Sequence, residues 1–68
     1  MSKELPFIVL CVEDYKNDKG LSGKEVMELF NKYGVCEYIR DCYGALHTTG
    51  RAYIIDDIDE FINYRRSA

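Results

Sequence analysis

Four stretches of this chain place apolar side chains at helical spacing, and glycine punctuates the gaps between them. The clearest opens at Ser22-Gly23-Lys24-Glu25, where serine followed three residues later by glutamate has the pattern of a reciprocal helix cap. The Ser22 hydroxyl would accept from the Glu25 amide while the Glu25 carboxylate reaches back to the Ser22 amide. Val26, Met27, Leu29, Phe30 and Tyr33 then form one broad apolar face, leaving Lys24, Glu28, Asn31 and Lys32 to solvent. Gly34 predicts the stop, because glycine enters the left-handed conformation of a helix end at little cost.

A second face follows almost at once, built from Cys36, Tyr38, Ile39, Cys42, Tyr43 and Leu46, with Glu37, Arg40 and Asp41 opposite. Gly44 weakens its last turn. The segment ahead of the capped helix, Lys3 to Lys19, puts Leu5, Ile8, Val12 and Tyr15 on one side with Phe7 and Cys11 flanking, and Pro6 sits in its first turn. Its stretch from Phe7 to Val12 is apolar nearly all round, so periodicity alone does not separate a buried helix from a buried strand. The polar run Glu13, Asp14, Tyr15, Lys16 favours the helix.

The last segment runs from about Asp56 to Arg65, with Ile55, Ile58, Phe61 and Ile62 inward. Its acids stand at the start and Arg65 and Arg66 at the end, as the helix dipole prefers. Between the third and fourth segments, residues 46–55 hold β-branched and aromatic side chains around Thr49-Gly50. A short, wing-like β-hairpin and an irregular loop both fit. The expectation is therefore a mostly α, compact four-helix single domain over positions 1–68, with or without that hairpin.

At 68 residues the core is thin, and domains of this size often add disulfides, a metal or an oligomeric partner. Three cysteines, Cys11, Cys36 and Cys42, are an odd number with no secretory signal ahead of them, which fits a reducing cytoplasm. Cys36, Cys42 and the only histidine, His47, lack the close pairing of a zinc site, so no metal or other cofactor is expected. The apolar run Leu5 to Val12 is far short of the roughly 20 residues that span a bilayer, and no membrane segment is expected. Twelve acidic against nine basic side chains give a net charge of −3, which disfavours non-specific attraction to nucleic acid.

Candidate chemistry is sparse. Leu46-His47-Thr48-Thr49-Gly50 is the most distinctive polar stretch, and His47, Thr48 and Thr49 read either as a recognition loop or as a turn held by local hydrogen bonds. Nothing in the sequence supplies the oriented partner and oxyanion site that catalysis at His47 needs, so no catalytic residue is assigned. Asp56, Asp57, Asp59 and Glu60 wind around a helix instead of alternating through a calcium loop, and read as a solvated helix start or an acidic docking face. Asp57, Asp59 and Glu60, with Tyr53, join the candidate partner contacts. Six tyrosines suit surfaces that meet other proteins and leave self-association open; Tyr33, Tyr38 and Tyr43 read as core-edge residues whose hydroxyls reach water.

The short joint at Gly34-Val35 also fits a helix-turn-helix or winged-helix DNA-binding regulator, whose basic patch would be Lys24, Lys32, Arg40 and Arg51. Glu37 and Asp41 on the would-be reading helix oppose phosphate.

Several words of the sequence carry a resemblance. Leu21-Ser22-Gly23-Lys24-Glu25-Val26, Leu29-Phe30-Asn31-Lys32-Tyr33-Gly34-Val35, Tyr38-Ile39-Arg40, Leu46-His47-Thr48-Thr49-Gly50 and Asp57-Ile58-Asp59 resemble a family of short bacterial proteins, domain of unknown function 3791. The resemblance implies helical members whose genes stand beside those of other small proteins, some similar to ADP-ribosyltransferases. The expected function is a non-enzymatic, protein-binding module of the bacterial cytoplasm, antitoxin-like or regulatory toward a neighbouring gene product.

Overall fold

The reciprocal cap forms as its spacing predicts. In the computed structural model, which describes residues 3–67, the Glu25 amide donates to Ser22 Oγ at 3.1 Å and the Ser22 amide to Glu25 Oε1 at 2.9 Å. Helix α2 (Gly23–Tyr33) starts there and ends at Gly34, whose φ of 69° is left-handed and whose amide donates to the Phe30 carbonyl. Helix α1 (Glu4–Lys19) is helical throughout. Gly20 closes it in the same way, at φ 67°, and the amides of Gly20 and Leu21 converge on the Lys16 carbonyl.

The third segment is two helices, not one. α3 (Val35–Asp41) breaks at Cys42, with φ −101° and ψ 14°, and a single turn, α4 (Tyr43–Leu46), follows. Gly44, a poor helix former, stands inside that turn, and the re-aimed turn carries Leu46 into the core at 3% exposure.

Neither a strand nor the hairpin occurs among the described residues. Helix α5 (Arg51–Ser67) begins five residues before the expected Asp56 and takes in Tyr53, Ile54 and Ile55. Burial is the reason. Ile54, Ile55, Ile58 and Ile62 are all buried, and a helix turns all four inward, whereas a strand would point Ile54 and Ile55 to opposite faces. The longer helix also moves the acids out of its first turn, so the dipole does not account for them; Arg65 and Arg66 do stand in the last turn. Among the described residues there are five helices where four were expected.

All five pack around one core. Cys11 and Tyr15 from α1, Val26 and Phe30 from α2, Val35 and Ile39 from α3, Leu46 from α4 and the four isoleucines of α5 are buried, with no polar or charged residue among them. The ring of Tyr15 meets Phe30 edge-to-face at 5.3 Å. Two inward assignments are corrected. Leu5 is 53% exposed and Met27 is 38% exposed, because α1 turns Cys11 and Tyr15 to the core and leaves Leu5 on its flank.

Candidate functional site

The polar turn after α4 spends its side chains on its own backbone. The last carbonyls of a helix lack intrahelical donors, and here they receive side-chain ones. Thr49 Oγ1 donates to the Leu46 carbonyl at 2.7 Å, Thr48 Oγ1 to Ala45 at 3.3 Å, and His47 Nδ1 to Tyr43 at 2.7 Å. A carbonyl only accepts, so the neutral His47 ring carries its proton on Nδ1 and leaves Nε2 as its acceptor. The imidazole lies flat on Tyr43, with centroids 4.4 Å apart and planes 6° from parallel. Tyr43 in turn receives Phe7 edge-on at 5.4 Å. These contacts form a local turn, with His47 and Thr48 exposed on it.

The acids of α5 divide into two groups. Asp59 joins the first helix to the last: the Tyr15 hydroxyl donates to its Oδ1 at 2.7 Å and Lys19 Nζ to its Oδ2 at 2.6 Å. Asp57 accepts from the Tyr38 hydroxyl at 2.6 Å, so that hydroxyl does not simply reach water. Tyr38 also stacks on Phe61, at 4.1 Å between centroids. Burial and the Asp59 hydrogen bond push the Tyr15 phenol far above its usual range, and the Asp57 hydrogen bond with burial does the same for Tyr38. Both remain neutral donors to a carboxylate. The bond to Asp59 also raises Lys19. Tyr15, Lys19 and Tyr38 were not legible as partners of these acids, because pairs 44, 40 and 19 positions apart leave no mark in local spacing.

A second set faces outward and shares the half-buried Asp57 with the first. Tyr53, Asp56, Asp57 and Glu60, at i, i+3, i+4 and i+7, share one face of α5 and line a recess of about 250 Å³. Tyr53 is 59% exposed, and Asp56 and Glu60 are exposed beside it. Asp56 belongs to the acidic docking face read from the sequence, and the recess sets it beside Tyr53. An aromatic ring among carboxylates suits a cationic side chain, by attraction to the ring face and by charge-assisted hydrogen bonds.

Three of the four cations of the expected basic patch have a neighbour in the fold. Arg51 Nε lies 3.9 Å from Asp14 Oδ1 and Arg40 Nε 3.8 Å from Asp41 Oδ1. Lys32 stands over the Tyr33 ring at 5.4 Å. Hydrogen bonding from Arg66 lowers the Tyr33 phenol.

All three cysteines are free thiols. No group of three or more potential metal ligands occurs among the described residues, and no helix is long and apolar enough to cross a membrane. Burial pushes the Cys11 thiol from 9.0 up to about 11, and burial raises Cys36 as well. The folded state therefore keeps a proton on Cys11 that the unfolded chain releases first. Between those two values the unfolded state binds fewer protons, so stability falls as pH rises. Thermal melts are expected to lose midpoint from about pH 9 upward, with Cys11→Ala flattening the first part of the fall. Identical pH slopes in both proteins would remove Cys11 as its source.

Fold and site together define a small helical domain with a self-capped polar turn and an open polar recess on its last helix. The chain belongs to the family described as Protein of unknown function (DUF3791), whose model matches residues 6–65. Neither a curated protein nor a solved structure matches it.

Proposed function

We propose that this domain is a non-enzymatic protein-binding module that captures a basic segment of a partner on the outward face of α5. The observation that carries the reading is the recess lined by Tyr53, Asp56, Asp57 and Glu60. Its lining is one aromatic ring and three carboxylates, all carried by α5, with no cation among them. His47, Thr48 and Thr49 donate to carbonyls of the turn, and Asp59 accepts from Tyr15 and Lys19, so in this reading they brace the scaffold beside the contact. A bacterial, cytoplasmic setting fits the free thiols. In that setting the partner is the product of a neighbouring gene, and the role is antitoxin-like or regulatory.

The test is co-purification of tagged protein from its native host, wild type beside Asp56→Lys/Glu60→Lys. Both positions are exposed, so the variant keeps its helical circular dichroism. A stoichiometric partner is expected on the wild type, weakened by salt and by at least about tenfold in the variant. A partner held equally by both, or no partner at all, overturns the reading. A DNA-binding regulator is the competing reading, and it finds less support, since Arg40 and Arg51 each lie beside a carboxylate. A low-salt gel shift with the upstream region of its own gene separates the two.

A further inference from the structure

The outward face of α5 continues beyond its recess to Tyr64. Tyr53, Asp57, Glu60 and Tyr64 stand at i, i+4, i+7 and i+11, so they form one stripe down the helix, with Asp56 at its edge. A tyrosine closes each end, 59% and 75% exposed, and the carboxylates lie between. Among the described residues, Tyr15, Tyr33, Tyr38 and Tyr43 each meet another ring or a cation, whereas Tyr53 and Tyr64 meet neither. Four of the six tyrosines thus serve the fold, and the two left over share one face of one helix. Its acids are equally unengaged by charge. No lysine or arginine pairs with Asp56, Asp57 or Glu60 among the described residues. The cations of the last turn are drawn aside, Arg65 over Phe61 at 4.8 Å and Arg66 over Tyr33 at 5.7 Å.

We infer that the stripe receives an amphipathic basic helix of a partner protein, its lysines or arginines over the carboxylates and an apolar side chain against each terminal tyrosine. The inference rests on the reading of α5 as a capture face for a basic segment, and it adds the conformation of that segment and its two apolar anchors. The conformation follows from what the face can offer. A helix has already paired its own amides and carbonyls, so α5 presents no free backbone edge to an extended peptide. A strand laid along it would turn carbonyls onto carboxylates, acceptor against acceptor. A helix arrives with its backbone satisfied and meets the stripe through side chains alone. Two helices crossing at about 20° stay in contact over several turns, and the stripe runs for about 16 Å, or three turns, at 1.5 Å per residue.

The order along the stripe, aromatic, acid, acid, aromatic, asks for apolar, basic, basic, apolar at the same spacing in the partner. Charge complementarity selects a cationic helix over a neutral or acidic one, and the rings select apolar ends over a uniformly basic segment. The two tyrosines expose on the order of 250 Å² between them. With the exposed carboxylates the stripe supplies about 400–500 Å² on this side, the lower range of specific interfaces, which suits a transient, salt-sensitive contact.

The probe is an alanine- and glutamine-based helical peptide with leucine, lysine, lysine and leucine at i, i+4, i+7 and i+11, titrated into the isotope-labelled full chain and followed by two-dimensional NMR. Amide shifts are expected along α5 from Tyr53 to Tyr64, fading as salt rises. Tyr64→Ala should weaken binding by about tenfold, and Tyr64→Phe should keep most of it; the position is exposed, so both variants stay folded. A second peptide with proline at its centre cannot remain one helix and should also bind about tenfold more weakly. Binding that Asp56→Lys/Glu60→Lys removes, but that neither Tyr64→Ala nor the proline changes, overturns this inference and leaves the capture face standing. Absence of any shift on α5 with either peptide overturns both.

Discussion

Phe30→Ala is expected to leave the domain mostly unfolded at 37 °C. Phe30 has no exposed surface and lies among the largest fully buried side chains, with Tyr15 edge-on against its ring. Truncating a buried phenylalanine costs about 3–5 kcal/mol through lost burial and the cavity left behind. A domain of this size holds only about 3–10 kcal/mol, so the loss takes from about a third to all of what exists. Amide dispersion in a two-dimensional NMR spectrum and far-ultraviolet circular dichroism should collapse together. Leu5→Ala, on the exposed flank of α1, is expected to stay within about 0.5 kcal/mol of wild type. A cooperative melt of Phe30→Ala within a few degrees of wild type would show that another layer of side chains holds the domain.

The second large effect concerns a residue that sequence reasoning assigned to a partner. Asp59→Ala deprives the Tyr15 hydroxyl of its acceptor beside the core and frees Lys19, with an expected loss of about 2 kcal/mol in denaturant midpoint analysis. Most of this belongs to Tyr15, since the Lys19 ammonium is partly in water. Asp59→Asn keeps an acceptor and should lose less. Paired with Tyr15→Phe in a double-mutant cycle, Asp59→Ala should show a coupling of about 1 kcal/mol. Additive losses would mean that the 2.7 Å contact contributes nothing to stability. Glu60→Ala, one position along and exposed, is the contrast, expected within about 0.5 kcal/mol.

Which features could be read in advance follows from how local their causes are. The Ser22 cap and the Gly34 stop depend on neighbours three or four residues away, and both form as expected. The helical state of α1 was legible, but its orientation was not. Phe7 to Val12 is apolar all round, so only contacts with the other helices choose Cys11 over Leu5 as the inward position. The stretch from Arg51 to Ile55 failed for a related reason: β-branched residues suggested strands, while the core needed Ile54 and Ile55 on the same side. At the candidate site, Tyr53 and Glu60 remain outward as read. Asp59 is half-buried, because it accepts from partners at the far end of the chain. The polar turn was equally ambiguous, since the side chains that would greet a ligand are the ones able to satisfy helix carbonyls.

That long reach between Asp59 and α1 bears on how the protein is made. Helix α5 supplies four of the eleven buried core residues, and its carboxylates reach back to Tyr15, Lys19 and Tyr38. The core that α1 to α4 build is open on the side covered by Ile54, Ile55, Ile58 and Ile62, and it closes only when Ile62 has left the ribosome. A chain stopped before α5 therefore carries an incomplete core, and losing Arg51–Ser67 takes away a wall of the domain instead of trimming an appendage.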